Sequence, residues 1–166
     1  LIGRIGLDYH ARVYSNVNCF ESERKALFEF KKCLIDESNC LASWTGEDCC
    51  SWKGVGYSRN IWHVMKLDLR NSAAFDYGRL TFGDTQNYFS IYGKTWLGGQ
   101  ISPSLANLQH LHYLDFSSNY FAGIRIPTFI GSLKILRCLN LSYVGFNGTI
   151  PPPIRKSLSF RLSRSW

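Results

Sequence analysis

The sequence predicts an α/β fold: a right-handed solenoid of short parallel strands, covered at its N-terminal end by a helix and with no cap at its C-terminal end. Two observations carry that prediction. Residues 111–151 state one pattern twice. The first copy is Leu111-x-x-Leu114-x-Phe116-x-x-Asn119-x-Phe121-x-Gly123, then Ile126-Pro127-x-x-Ile130-Gly131-x-Leu133. The second is Leu136-x-x-Leu139-x-Leu141, then Phe146-x-Gly148-x-Ile150-Pro151-x-x-Ile154. Leu111 to Leu136, Phe121 to Phe146 and Gly123 to Gly148 are each 25 residues apart, and Ile126 to Ile150 is 24. A whole pattern recurring at fixed period marks a solenoid, in which each unit buries its apolar edge only against its neighbours. The second observation is an amphipathic helix pattern upstream of the repeats.

Taken in order, residues 1–18 carry no periodicity and read as an irregular leader. There is no initiator methionine and no apolar signal segment, so a processed or partial product is expected. From Glu21 the pattern turns helical, with Ala26, Leu27, Phe30, Cys33 and Leu34 on one stripe. Glu21 and Glu23 at its start and Lys31 and Lys32 at its end suit the helix dipole. Asp36-Glu37-Ser38-Asn39 is expected to stop the helix. Val64-x-x-Leu67-x-Leu69 is the first strand, and Gly98-Gly99-x-Ile101-x-Pro103-x-Leu105-x-x-Leu108 is the rest of its unit. The spacing from strand to glycine is 7 in the later units (Phe116 to Gly123, Leu141 to Gly148) but 29 from Leu69 to Gly98. About 22 residues are therefore inserted, over 72–95. Phe75, Tyr77, Tyr88 and Tyr92 make the insert aromatic, and Gly78 and Gly83 make it a loop. Such a loop contacts a partner, packs on its own solenoid or is disordered. After Pro151-Pro152-Pro153-Ile154 the pattern lapses into a basic tail, 155–166.

Bulk properties narrow the function. In 166 residues, 45% hydrophobic and 19% charged content describes a globular chain. No run of apolar residues is long enough for a membrane span. Arg155, Lys156, Arg161 and Arg164 supply four of the net seven positive charges, so the basic balance reads as a solvated tail and not as a nucleic-acid groove. The six cysteines form no C-x-x-C pair, and the four histidines form no metal-ligand motif, so no metal or cofactor is expected. No G-x-S-x-G, P-loop, G-x-G-x-x-G or paired-carboxylate motif is present, so no catalytic residue is assigned.

The core Leu111-x-x-Leu114-x-Phe116-x-x-Asn119, continued by Gly123 and Ile126-Pro127, resembles the plant extracellular leucine-rich repeat. Cys19, the helix Glu21-Ser22-Glu23-Arg24, Ser43-Trp44, Cys49-Cys50-x-Trp52-x-Gly54-Val55 and His63-Val64-x-x-Leu67-Asp68-Leu69 together resemble that family's N-terminal cap. The resemblance implies a leucine-rich-repeat solenoid divided into a leader (1–18), a cap (19–62), about three repeats (63–154) and the tail (155–166). It implies a buried amide ladder through Asn119 and a disulfide between Cys19 and Cys49. The family's second bridge lacks its partner, because Tyr57 stands where that cysteine belongs. Cys33, Cys40 and Cys50 are left as free thiols or as pairs among themselves. Concave-face positions are Lys66, Asp68 and Arg70 on the first strand, and Tyr113, Asp115 and Ser117 on the second. Arg137, Asn140 and Ser142 belong to the third. These positions, with the insert's Phe75, Tyr77, Tyr88 and Tyr92, are the candidate ligand-binding residues. Asn140-Leu141-Ser142 and Asn147-Gly148-Thr149 are glycosylation sequons suited to an extracellular chain. The whole looks most like plant receptor-like proteins of the fungal-elicitor-receptor type. That implies a protein or peptide ligand, a parent protein crossing the plasma membrane once, and co-receptor kinases reached through regions outside this chain. A soluble polygalacturonase-inhibitor-like wall protein, and a truncated product without activity, are the alternatives.

Overall fold

The computed structural model describes residues 19–73, 95–121 and 123–152. The leader, most of the insert and the basic tail expected above lie outside the described residues.

The helix α1 spans Glu21–Lys32 and buries Glu23, Ala26, Leu27 and Phe30. It ends earlier than its apolar stripe suggests. Cys33 is the C-cap and is exposed, while Leu34–Ile35 forms a short strand, β1. Tertiary pairing overrides the periodicity here, for β1 runs antiparallel to Gly98–Gly99 (β4), and the Gln100 N–H donates to the Cys33 carbonyl at 3.0 Å. The two chains meet so closely that a Cβ on Gly99, whose φ is +87°, would lie 2.5 Å from the Cys33 oxygen.

Below the helix, Trp44 and Trp52 stack with ring centroids 5.3 Å apart. Their indole N–H groups donate to the carbonyls of Lys53 and Thr45 at 2.9 and 2.8 Å, so both bulky rings are buried without an unpaired donor. The Lys31 ammonium reaches across to the carbonyls of Leu41 and Trp44, tying the end of α1 to this layer.

Among the described residues, the sheet behind the cap has four strands, in the order Val55–Tyr57 (β2), Val64–Asp68 (β3), Tyr113–Asp115 (β5) and Cys138–Asn140 (β6). β2 pairs antiparallel with β3. β5 and β6 continue in parallel, in a register that aligns Leu67, Leu114 and Leu139. Those three leucines are buried, each worth about 1.5–3 kcal/mol of transfer free energy. The parallel strands are those the repeat pattern marks. β2 was not legible as a strand, since three residues with a central glycine carry no alternation to read.

Aromatic rings join cap to repeats. Phe30 of α1 lies 5.8 Å from Phe116, which meets Phe121 at 5.8 Å, and Phe121 stacks on Phe146 at 6.0 Å. Asn119 is buried beside them. Its amide nitrogen donates to the carbonyls of Leu69 (2.6 Å) and Phe116 (3.0 Å), and its amide oxygen accepts from the Leu97 N–H at 2.9 Å. One side chain thereby serves two successive repeats. Val144, one period later, fills the corresponding place as a buried apolar residue.

Candidate functional site

Alternation along β3, β5 and β6 sends one set of side chains inward and the other to a common outer face. On that face Arg70 is the hub. Its guanidinium donates to both Asp68 carboxylate oxygens, at 2.8 and 2.6 Å, and to the Tyr113 hydroxyl at 3.1 Å. Lys66 reaches Asp68 from the other side at 3.0 Å and sits 5.0 Å above the Tyr113 ring. The Arg70 hydrogen bond, helped by Lys66 and opposed by burial, lowers the Asp68 carboxyl to about 2. The same pairing raises the guanidinium of Arg70, which stays charged at every working pH. Burial, then the hydrogen bond to Asp115, raises the Tyr113 phenol well above its ordinary value, leaving it a neutral donor.

Asp115 belongs to this face but is fully covered, contrary to the expectation that it presents itself to a ligand. The Tyr113 hydroxyl donates to it at 2.8 Å, the Ser117 N–H at 2.8 Å and the Asn140 amide at 3.1 Å, with Arg70 at 4.0 Å. Ser117 and Ser142 are buried too. Asn140 is held from both ends, since its amide oxygen accepts from the N–H and hydroxyl of Ser142. Asp115, Ser117, Asn140 and Ser142 thus form the floor of the face. Lys66 and Arg70 are exposed on it, with Asp68 and Tyr113 half-buried between, whereas the β6 residue in register with Tyr113 is Cys138, so Arg137, exposed one residue earlier, falls outside the set that alternation places on this face.

A cavity of about 660 Å³ opens beside Arg70. Lys53 and Gly54 of the cap line it, with Lys66, Asp68, Asn71 and Thr95 of the repeat. Spacing arguments did not single out Lys53 or Asn71. Asn71 and Thr95 are the two roots of the insert, joined by a 3.3 Å side-chain hydrogen bond, so the insert leaves and re-enters the fold at the rim of this cavity. Its Phe75, Tyr77, Tyr88 and Tyr92 lie outside the described residues.

In the cap, Cys19 and Cys49 form a disulfide with Cα atoms 5.4 Å apart. Cys50 is half-buried next to it, and burial, reinforced by Asp48, pushes its thiol up to about 11. Burial also raises the thiol of Cys40. Tyr57 spends its ring on a stack with Trp62, centroids 5.6 Å apart. Of the two sequon asparagines, Asn147 is exposed and Asn140 half-buried.

The parallel repeats, the capping helix packed by Trp44 and Trp52, and the buried amide of Asn119 define a leucine-rich-repeat protein, and the chain belongs to that family. Residues 20–56 match the leucine-rich repeat N-terminal domain, and residues 110–133 match the leucine-rich repeat. Its sequence is 40% identical over 147 residues to Receptor-like protein EIX1 of Solanum lycopersicum, covering 86% of this chain and 13% of that protein. Receptor-like protein EIX2 of the same plant is 40% identical over 142 residues, covering 85% of this chain and 13% of the relative. Among solved structures, the BIR2 ectodomain from Arabidopsis thaliana superposes with a TM-score of 0.62 at 29% identity, covering 81% of this chain and 62% of that one. The chain therefore spans 13% of the length of the curated relatives it matches. Among the described residues no helix is long and apolar enough to cross a membrane.

Proposed function

We propose that this chain is the N-terminal part of a ligand-binding receptor-like ectodomain on the extracellular side of a plant plasma membrane, reading a protein or peptide ligand. The observation that carries the reading is the outer sheet face. Lys66 and Arg70 are exposed on it beside a cavity whose rim is the root of the aromatic insert. Such a face offers charged donors to main-chain carbonyls and carboxylates of an extended ligand. The likeness to the tomato receptor-like proteins supports the receptor class, and signalling through co-receptor kinases belongs to parts of the parent protein outside this chain.

A chimera tests it. This chain replaces the matching segment of Receptor-like protein EIX1, and plant cells expressing the chimera are challenged with a fungal elicitor preparation. A response retained by the chimera and lost on Lys66→Glu with Arg70→Glu is expected. A response unchanged by the paired substitution removes the outer face from ligand reading.

A further inference from the structure

Three chemistry-bearing side chains that the outer face does not use meet where the cap joins the first two repeats. Glu23 comes from α1, His63 from the turn entering β3, and His110 from the turn entering β5. They are 40 and 47 residues apart along the chain, so no sequence motif announces them. Glu23 is buried, with one carboxylate oxygen accepting from the Val64 N–H at 3.0 Å and the other 3.0 Å from His63 Nδ1. The His63 ring is sandwiched, Phe20 at 4.1 Å and His110 at 3.7 Å between centroids. One ligand atom from each of the three, a carboxylate oxygen and two ring nitrogens, falls within 4.8 Å of the others.

We propose that Glu23, His63 and His110 form a binding site for one divalent transition ion of the zinc type, which clamps the cap helix to the first two repeats. Two imidazoles and a carboxylate suit zinc, copper or nickel and not calcium or magnesium, which demand oxygen donors. Ligands about 2.0–2.1 Å from a tetrahedral ion lie about 3.3 Å from one another. The Glu23–His63 pair, 3.0 Å apart, is close to that separation already. The Val64 N–H holds the far carboxylate oxygen and so aims the near one, the part a supporting hydrogen bond plays around a metal. His110 makes the remaining adjustment. Its ring, half-buried on a turn, tilts out of the stack so that an in-plane lone pair faces the ion. The hydrogen on His63 Nδ1 must leave that nitrogen as the ion enters: a neutral ring moves it to Nε2 with no net release, and a charged ring gives up one proton to solvent. Three protein ligands leave one position for water, an open coordination sphere. The nearby trio Cys19, Cys49 and Cys50 offers no equivalent set, because two of its sulfurs are joined to each other.

The test uses the full oxidised chain, stripped of metal and with accessible thiols alkylated. Zinc chloride is titrated calorimetrically, and cobalt(II) serves as a spectroscopic stand-in. One equivalent of zinc is expected, with a higher melting temperature and a cobalt spectrum showing tetrahedral nitrogen and oxygen ligation. His110→Ala and His110→Gln, checked for folding by circular dichroism, should each weaken zinc binding at least ~10-fold and abolish the thermal shift. His10→Ala should change neither. The absence of saturable binding overturns the proposal. So does binding that survives both His110 substitutions, or binding that depends on His10.

Discussion

Replacing Asn119 by valine would orphan three buried backbone groups at once. The Leu97 N–H loses its acceptor, and the carbonyls of Leu69 and Phe116 lose their donor. Each unsatisfied buried group costs about 1–2 kcal/mol, the carbonyls at the lower end because they keep a second lone pair. The total is about 4 kcal/mol, from which the added apolar burial returns about 1.5 kcal/mol. The net expectation is a loss of about 2.5 kcal/mol, or roughly 8 °C in melting temperature for a chain of this size. Urea unfolding followed through the buried Trp44 and Trp52 measures it. Valine is the apt replacement, because Val144 fills the same place one repeat later. Asn119→Asp separates the two arms of the amide. It keeps an acceptor for Leu97 but aims a charge at two carbonyls, and should lose at least as much. A loss under about 1 kcal/mol for the valine variant would show that neighbouring groups or water satisfy the ladder without the amide, refuting the argument.

Two further perturbations follow from the same geometry. The Cys19–Cys49 bridge closes a loop with a sequence separation of 30. Cys19→Ser with Cys49→Ser should therefore remove roughly 3.5 kcal/mol by chain entropy, read as a shift in the urea midpoint. The Asp68 carboxyl titrates at about 2 in the folded chain against an ordinary 3.8. Because the folded value is depressed, its contribution to stability is full above about pH 4 and is lost as pH falls toward 2. Asp68→Asn should flatten that limb of the stability–pH curve, and an unchanged limb would mean that Arg70 and Lys66 hold Asp68 no better than water does.

Much of the fold was written where side chains repeat. Leu114, Phe116 and Asn119, restated a period later in Leu139 and Leu141, mark the strands and the ladder. A purely local pattern suffices there, because in a solenoid the neighbour is the next copy of the same pattern. What escaped depended on partners far along the chain. The end of α1 was misplaced because Cys33 and β1 answer to Gly98, Gly99 and Gln100, which follow the insert. Asp115 was assigned to the correct face but not to its depth. Alternation tells which way a side chain points and is silent on what Arg70, just past β3, and Asn140 of β6 bring against it. Glu23, His63 and His110 meet only because cap and repeats dock, and no spacing rule covers residues brought together that way.

With β2 at one end, the sheet has a direction. In a run of parallel strands every unit offers its successor the edge that it received from its predecessor, so the backbone alone does not say where counting begins. β2 runs against the others and occupies the outer edge of β3, and Gly54, the residue just before it, is pressed so close that a Cβ there would lie 2.5 Å from the Asp68 oxygen. The turn is thus a molecular bookend. An extra unit cannot slip in ahead of the first, and each later ridge of the solenoid holds a fixed address measured from that end.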